Sequence, residues 1–337
     1  MATRNDINPN TQTTLAEWIP EIWSRRVYEE ARAKYFWARF SGPEGSGMPL
    51  IEKRELLTNP GDTIHVSQQA NLTGAGVSGD TALEGNEEEL SLKEVSLSPT
   101  WYRHAVAINR PASKQINQNF RERAMSGLSD WMAKKMDTAV WTASRTTAAT
   151  GFESSVINVV YGNDATSVDT IDSADDFGVT EIRKAAATLG NNNIAKVRTP
   201  DMPAGMGYYL MFVHPWQAYS LKGDTEWIDR HENAAERGAT NPLFTGALGV
   251  IDGVIIHETT QCTRAQNANS PVVYYARAVC VGQEALAVGL NQRIMWREQM
   301  TDFEYKQGIA VEAAWEVKVM TGNAIVQVVT AAVDPNA

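Results

Sequence analysis

Gly74-Ala75-Gly76-Val77-Ser78-Gly79 has the G-x-G-x-x-G spacing that can turn a strand into a helix and offer backbone N–H groups to a pyrophosphate. That chemistry needs a helix directly after the glycines. Asp80-Thr81-Ala82-Leu83-Glu84-Gly85-Asn86 follows instead, and its further glycine and two carboxylates oppose both the helix and the phosphate. His231-Glu232 begins like a zinc-protease H-E-x-x-H, but Asn233, Ala234 and Ala235 come next. His65, His104, His214 and His257 stand alone, none in metal-ligand spacing with another His or a Cys, so they read as structural. Cys262 and Cys280 form no C-x-x-C, which points to reduced thiols in a reducing compartment. Glu87-Glu88-Glu89 is a run of charge that suits a solvated face, or basic groups on a partner, better than a cation cage. No Walker loop or nucleophile elbow is present. The expectation is a chain with no catalytic residues, no cofactor and no bound metal.

The composition agrees with a non-catalytic role. Of 337 residues, 40 are acidic and 30 basic, for a formal charge of −10, which disfavours tight nucleic-acid binding. No run of eighteen apolar residues offers a membrane span, and Met1 to Thr14 lacks the apolar core of a signal peptide. Ten Trp, ten Tyr and eight Phe supply large contact areas that suit a core or subunit interfaces.

The elements that would position such interfaces follow from periodicity. Ser113 to Arg145 lacks proline and predicts one helix of about 33 residues, roughly 50 Å long, with Pro111 just ahead of it. Its apolar residues Ile116, Phe120, Ala124, Leu128, Met132, Met136 and Val140 step by four, so the stripe turns about 240° around the axis. One sheet cannot cover such a stripe, and the helix should act as a strut touched by different parts of the fold or by different subunits. Upstream, Ile19, Trp23, Val27, Ala31 and Tyr35 predict an amphipathic helix from Thr14 or Pro20 to about Phe40. Ile64-His65-Val66 and Glu88 to Leu97 predict a two-stranded arm, bulged where Leu90 and Leu92 give way to Val95 and Leu97. Its tip, Asn71 to Glu87, carries Gly74, Gly76, Gly79, Asp80, Glu84, Gly85 and Glu87. A lone hairpin is marginal in water, so a neighbouring subunit is the natural surface for it to lie on.

Phe152 to Asp172 suggests a short hairpin or loop. A helix capped by Ser173, a strand from Tyr208 to Val213, a helix from about Thr225 to Arg237 turning Trp227, Ile228 and His231 inward, and apolar strands at Gly249 to Glu258 and Pro271 to Val281 predict an α/β subdomain. Unbroken alternation from Ile309 to Val319, a turn at Thr321-Gly322-Asn323 and a return through Ala324 to Val329 predict a closing hairpin against the long helix. The fold class is α+β.

This order of elements resembles the major capsid proteins of tailed bacteriophages with the Hong Kong 97 fold. Leu57-Thr58-Asn59-Pro60-Gly61-Asp62, Asn109-Arg110-Pro111, and His214-Pro215 with Leu221-Lys222-Gly223-Asp224 are similar in wording to the N-four-like branch. The resemblance implies an N-terminal arm over 1–40, with Trp18 and Trp23 as contacts, and an extended loop over 50–105 whose tip residues touch a neighbour. It implies a peripheral domain from 106–171 and 291–333 around a spine helix at 113–145, and an axial domain over 172–290. Glu232, Arg237, Asn241 and Phe244 would then ring the centre of each capsomer. The implied function is an icosahedral head built from homo-pentamers and homo-hexamers around double-stranded DNA, held weakly and non-specifically. The implied partners are the chain itself, a separate scaffolding protein and a portal protein, with the presence or absence of a decoration protein left open, and with no membrane, in a virion assembled in the host cytoplasm. Some members cross-link their shells through a lysine of the extended loop. Lys93 lies on a flank of that loop, so no cross-linking is expected. An encapsulin-like shell of the same fold and a soluble α/β enzyme are the competing expectations.

Overall fold

The computed structural model describes residues 27–334 apart from 32–34, 70, 71, 73, 75, 81, 91, 116–119, 147–156, 199–206, 234–247 and 269–271. In chain order the strands are β1 (Ser41–Gly42), β2 (Leu50–Lys53), β3 (Ile64–Gln69), β4 (Leu92–Leu97), β5 (Thr100–Asn109), β6 (Asn158–Tyr161), β7 (Tyr209–Val213), β8 (Val250–Ile251), β9 (Val254–Glu258), β10 (Arg264–Gln266), β11 (Tyr274–Val281), β12 (Leu286–Thr301), β13 (Lys306–Val319) and β14 (Ile325–Ala331). The helices are α1 (Arg110–Gln115), α2 (Phe120–Arg145), α3 (Val179–Asn191), α4 (Pro215–Gly223) and α5 (Thr225–Asn233). One sheet runs β1-β2-β12-β13-β5, a second runs β6-β14-β11-β7-β9-β8 with β10 beside β11, and β3 pairs with β4 alone.

The turning stripe of α2 is divided between the two large sheets. Ala124, Leu128 and Met132 bury against Ile294, Trp296, Ile309, Val311, Ala313 and Trp315 of β12 and β13. Further along, Ala133, Val140 and Trp141 join Trp37, Phe40, Leu210, Phe212 and Val279 in a different cluster, and Met136 packs against both. The strut expected from the sequence is therefore realised within one chain. Its start differs from the expectation. Pro111 lies inside the first turn of α1, where its missing N–H breaks no helical bond, and residues 116–119 between α1 and α2 lie outside the described set.

Val27, Ala31 and Tyr35 are buried as their spacing requires, but the helical form does not persist to Phe40. Phe36–Phe40 is a 3-10 turn. Asp137 of α2 sets this change, because its carboxylate accepts from Phe36 N at 3.1 Å and Trp37 N at 3.4 Å. The new turn drives Trp37 and Phe40 among Trp141 and Phe212, with the Trp37 ring 5.0 Å from Trp141 and 4.8 Å from Phe212. A buried aromatic of this size contributes about 3–5 kcal/mol against truncation to alanine.

Three further expectations are corrected by the pairing. The closing hairpin does not form, because β13 pairs with β12 and β5 while β14 pairs with β11 and β6; the turn at Gly322–Ala324 carries the chain from one sheet to the other. Of the hairpin or loop expected over Phe152 to Asp172, the described part, from Ile157, holds no hairpin, since β6 pairs in parallel with β14. Val179, not a residue just after Ser173, opens α3, and Asp224 rather than Ser173 caps it, accepting from Val179 N at 2.8 Å. The same carboxylate accepts from Glu226 N at 2.9 Å, so one side chain caps α3 and α5 together. Trp227 is buried as expected, but Ile228 faces out.

Candidate assembly surface

The root of the arm packs against the sheet of β1, β2, β12, β13 and β5, on which the first half of α2 also lies. Ile64, Val66, Val95 and Leu97 bury with Ile51, Ala287 and Met320. Gly289 makes this contact possible: a Cβ there would sit 3.1 Å from Leu97 Cβ and 3.2 Å from Ile64 Cδ1. Polar ties fix the same root, with Lys318 Nζ donating to Ser96 O at 2.6 Å and Ser98 N donating to a Glu316 carboxylate oxygen. On the outer face His65 pairs with Glu94.

Beyond the root the arm loses its support. The register runs without interruption from Ile64 opposite Leu97 to Gln69 opposite Leu92, so the bulge expected near Leu92 is absent. Leu90 lies outside the strand, and the change of phase marks apolar residues that face out rather than a kink. Leu72, Leu83, Leu90 and Leu92 are 60%, 63%, 59% and 72% exposed. Four large apolar side chains in solvent on one projecting arm form a surface that gains from being covered.

The tip residues are arranged as a loop and not as a phosphate cradle. Gly76, Gly79 and Gly85 take φ of +66°, +68° and +86°, backbone that other residues adopt only at a cost, and no helix follows Gly79. Gly74 N donates to Glu88 Oε2 at 2.7 Å, and Gly85 N to Glu87 Oε2 at 2.7 Å. Asp80 and Glu84 are exposed. The carboxylates therefore accept from the loop's own backbone or face solvent, and no group of three metal-ligating side chains occurs among the described residues.

The other expected contacts are placed only in part. Glu232 falls in the last residues of α5, while Arg237, Asn241, Phe244, Trp18 and Trp23 lie outside the described residues. One projection was missed from the sequence. At the turn between β12 and β13, Asp302, Phe303 and Glu304 all take positive φ, of +56°, +49° and +66°, and Phe303 is fully exposed. The signal was the stretch Thr301 to Lys306, in which Asp302, Glu304 and Lys306 set charges around Phe303 and Tyr305 between two strongly alternating strands. The histidines are structural where described: His214 Nδ1 accepts from Trp216 N at 3.2 Å to cap α4, and His104 stacks on Trp131.

Comparison with known proteins bears on this architecture directly. Residues 30–320 match the family described as phage capsid protein. Over 325 residues the chain is 26% identical to the major capsid protein of Pseudomonas phage KPP25, with 86% of each chain covered. The capsid of Ralstonia phage GP4 superimposes with a TM-score of 0.71 at 23% identity, over 90% of this chain and 92% of that one. The cyanophage Pam1 capsid gives a TM-score of 0.75 at 17% identity, over 88% and 92%. The shared architecture is α+β, of the Hong Kong 97 type. With more than four-fifths of its length inside the family match, the chain belongs to the phage capsid protein family.

Proposed function

We infer that this chain is the major capsid protein of a tailed phage and builds the icosahedral shell of the head, with itself as principal partner. The observation that carries this reading beyond family membership is the β3–β4 arm, anchored at its root and bare along its outer part. The exposed leucines and the acidic tip, with Gly74, Gly76, Gly79, Asp80, Glu84 and Glu87, lie on a neighbouring subunit of the same pentamer or hexamer. Residues 1–40 form a second arm with Trp18 and Trp23 as contacts, 50–105 the extended loop, and 172–290 an axial domain. Glu232, Arg237, Asn241 and Phe244 line the capsomer centre, and 106–171 with 291–333 form the peripheral domain. A separate scaffolding protein and a portal complete the assembly, and packaged DNA is held weakly. The family match and the likeness to phage heads favour this reading over a cellular nanocompartment or an α/β enzyme.

Deleting residues 71–87 tests the arm. The shortened chain keeps its circular-dichroism spectrum, because the arm root packs through Ile64, Val66, Val95 and Leu97, all outside the deletion. It yields no closed shells by electron microscopy. Shells of normal size from that variant would refute the role given to the arm.

A further inference from the structure

The last turn of α2 and the β10–β11 edge enclose an open cavity of about 340 Å³ lined by Thr142, Arg145, Thr146, Thr263, Tyr275 and Arg277. Ala265 pairs with Tyr275 across the two strands, which sets the lining face of this edge. Arg145 is held rigidly: its Nε donates to Trp141 O at 2.9 Å and its Nη1 to Thr263 Oγ1. Arg277 touches Gln327 Oε1 only at 3.5 Å, and its guanidinium lies 5.9 Å from the Tyr275 ring centre. Among the described residues neither guanidinium is joined to a carboxylate. Burial pulls the Arg145 pKa down; the Cys262 thiol beside it raises it by less, and the charge of Arg277 lowers it by less still.

Two cations share this concavity in a chain of formal charge −10. The donors left over are few and directed. Thr142 and Thr146 give their hydroxyl protons to the helix carbonyls Thr138 O and Thr142 O, whereas Thr263 Oγ1 accepts from Arg145 and keeps its own proton to donate. The Nη2 group of Arg145 and the fork of Arg277 add donors from two further elements. Donors from a helix, a strand and the residue just ahead of β10 match the several oxygens of a tetrahedral oxyanion, and guanidinium forks bind phosphate in bidentate fashion. A single carboxylate would leave one cation unanswered.

We propose that the Arg145–Arg277–Thr263 cavity binds a phosphate oxyanion, from free phosphate or from a nucleic-acid backbone. The site does not depend on shell formation and is tested on unassembled full-length subunits by titration calorimetry, with inorganic phosphate and with a short DNA duplex as separate probes. The wild type binds phosphate saturably, and Arg277→Gln and Arg145→Gln each weaken binding at least tenfold while leaving the thermal midpoint in place. Arg277→Lys, which keeps the charge and removes the fork, weakens it several-fold and serves if Arg277→Gln does not fold. A duplex that competes with phosphate identifies the nucleic-acid backbone as the source, and a duplex that does not compete identifies free phosphate. Absence of saturable phosphate binding, binding unchanged in the variants, or capture of an acidic peptide of residues 80–89 in its place would overturn the proposal.

Discussion

At the scale of single residues, Asp137 is the side chain on which most depends. Burial pushes its carboxyl up to about 6, although the Phe36 and Trp37 N–H groups pull the other way. A folded-state value above the unfolded one, about 4, means the folded chain binds the proton more tightly. The stability from this group is therefore full below about pH 4 and lost as pH rises through about 6. Against Asp137→Asn, urea unfolding of unassembled wild-type subunits should lose on the order of 2 kcal/mol between pH 4 and pH 7. A difference independent of pH would show that the carboxyl titrates normally. The cysteines give a second prediction: both are buried, and burial pushes the Cys262 thiol up to about 12 and Cys280 higher still. Neither should react with a thiol reagent at pH 8 until the chain unfolds, whereas rapid labelling of native protein would contradict that placement. Little of this was legible in the sequence. Asp137 occupies an ordinary helical position, and its role comes from a turn 100 residues away.

At the scale of elements, local periodicity located most helices and strands, and failed where a distant partner decides the outcome. Val27, Ala31 and Tyr35 pack as their four-residue spacing predicts, yet a carboxylate from another helix remakes the turn after them. Alternation marks β13 and β14 as strands but cannot say that they belong to different sheets, because the turn between them is equally compatible with a hairpin. The arm was legible as a pair of strands and a glycine-rich tip. Its docking site was not, since that depends on Gly289, more than 190 residues from Leu97. Gly289→Val should therefore overpack the arm root, at a cost of about 1–3 kcal/mol, read as a lower thermal midpoint of the subunit. An unchanged midpoint would mean that the arm root yields without cost and is not fixed by this contact.

At the scale of the whole molecule, α2 couples two sheets through two clusters that meet at Met136, so the sheets are braced along one long strut. Among the described residues, strongly exposed apolar side chains include the leucines of the arm and Phe303 at the β12–β13 turn, together with Trp101, Tyr219 and Met300. A subunit built in this way presents apolar surface on its projections for repeated contacts between copies. The sequence made this organisation legible through resemblance more than through periodicity, because which copy covers which projection is not encoded in local pattern. Electron microscopy of the full chain, expressed alone and with a scaffolding protein, tests the central claim most directly. Closed shells with five-fold and six-fold capsomers, in which each arm crosses onto a neighbour, are the predicted result. A uniform small species under both conditions, or shells in which the arm folds back on its own subunit, would contradict it.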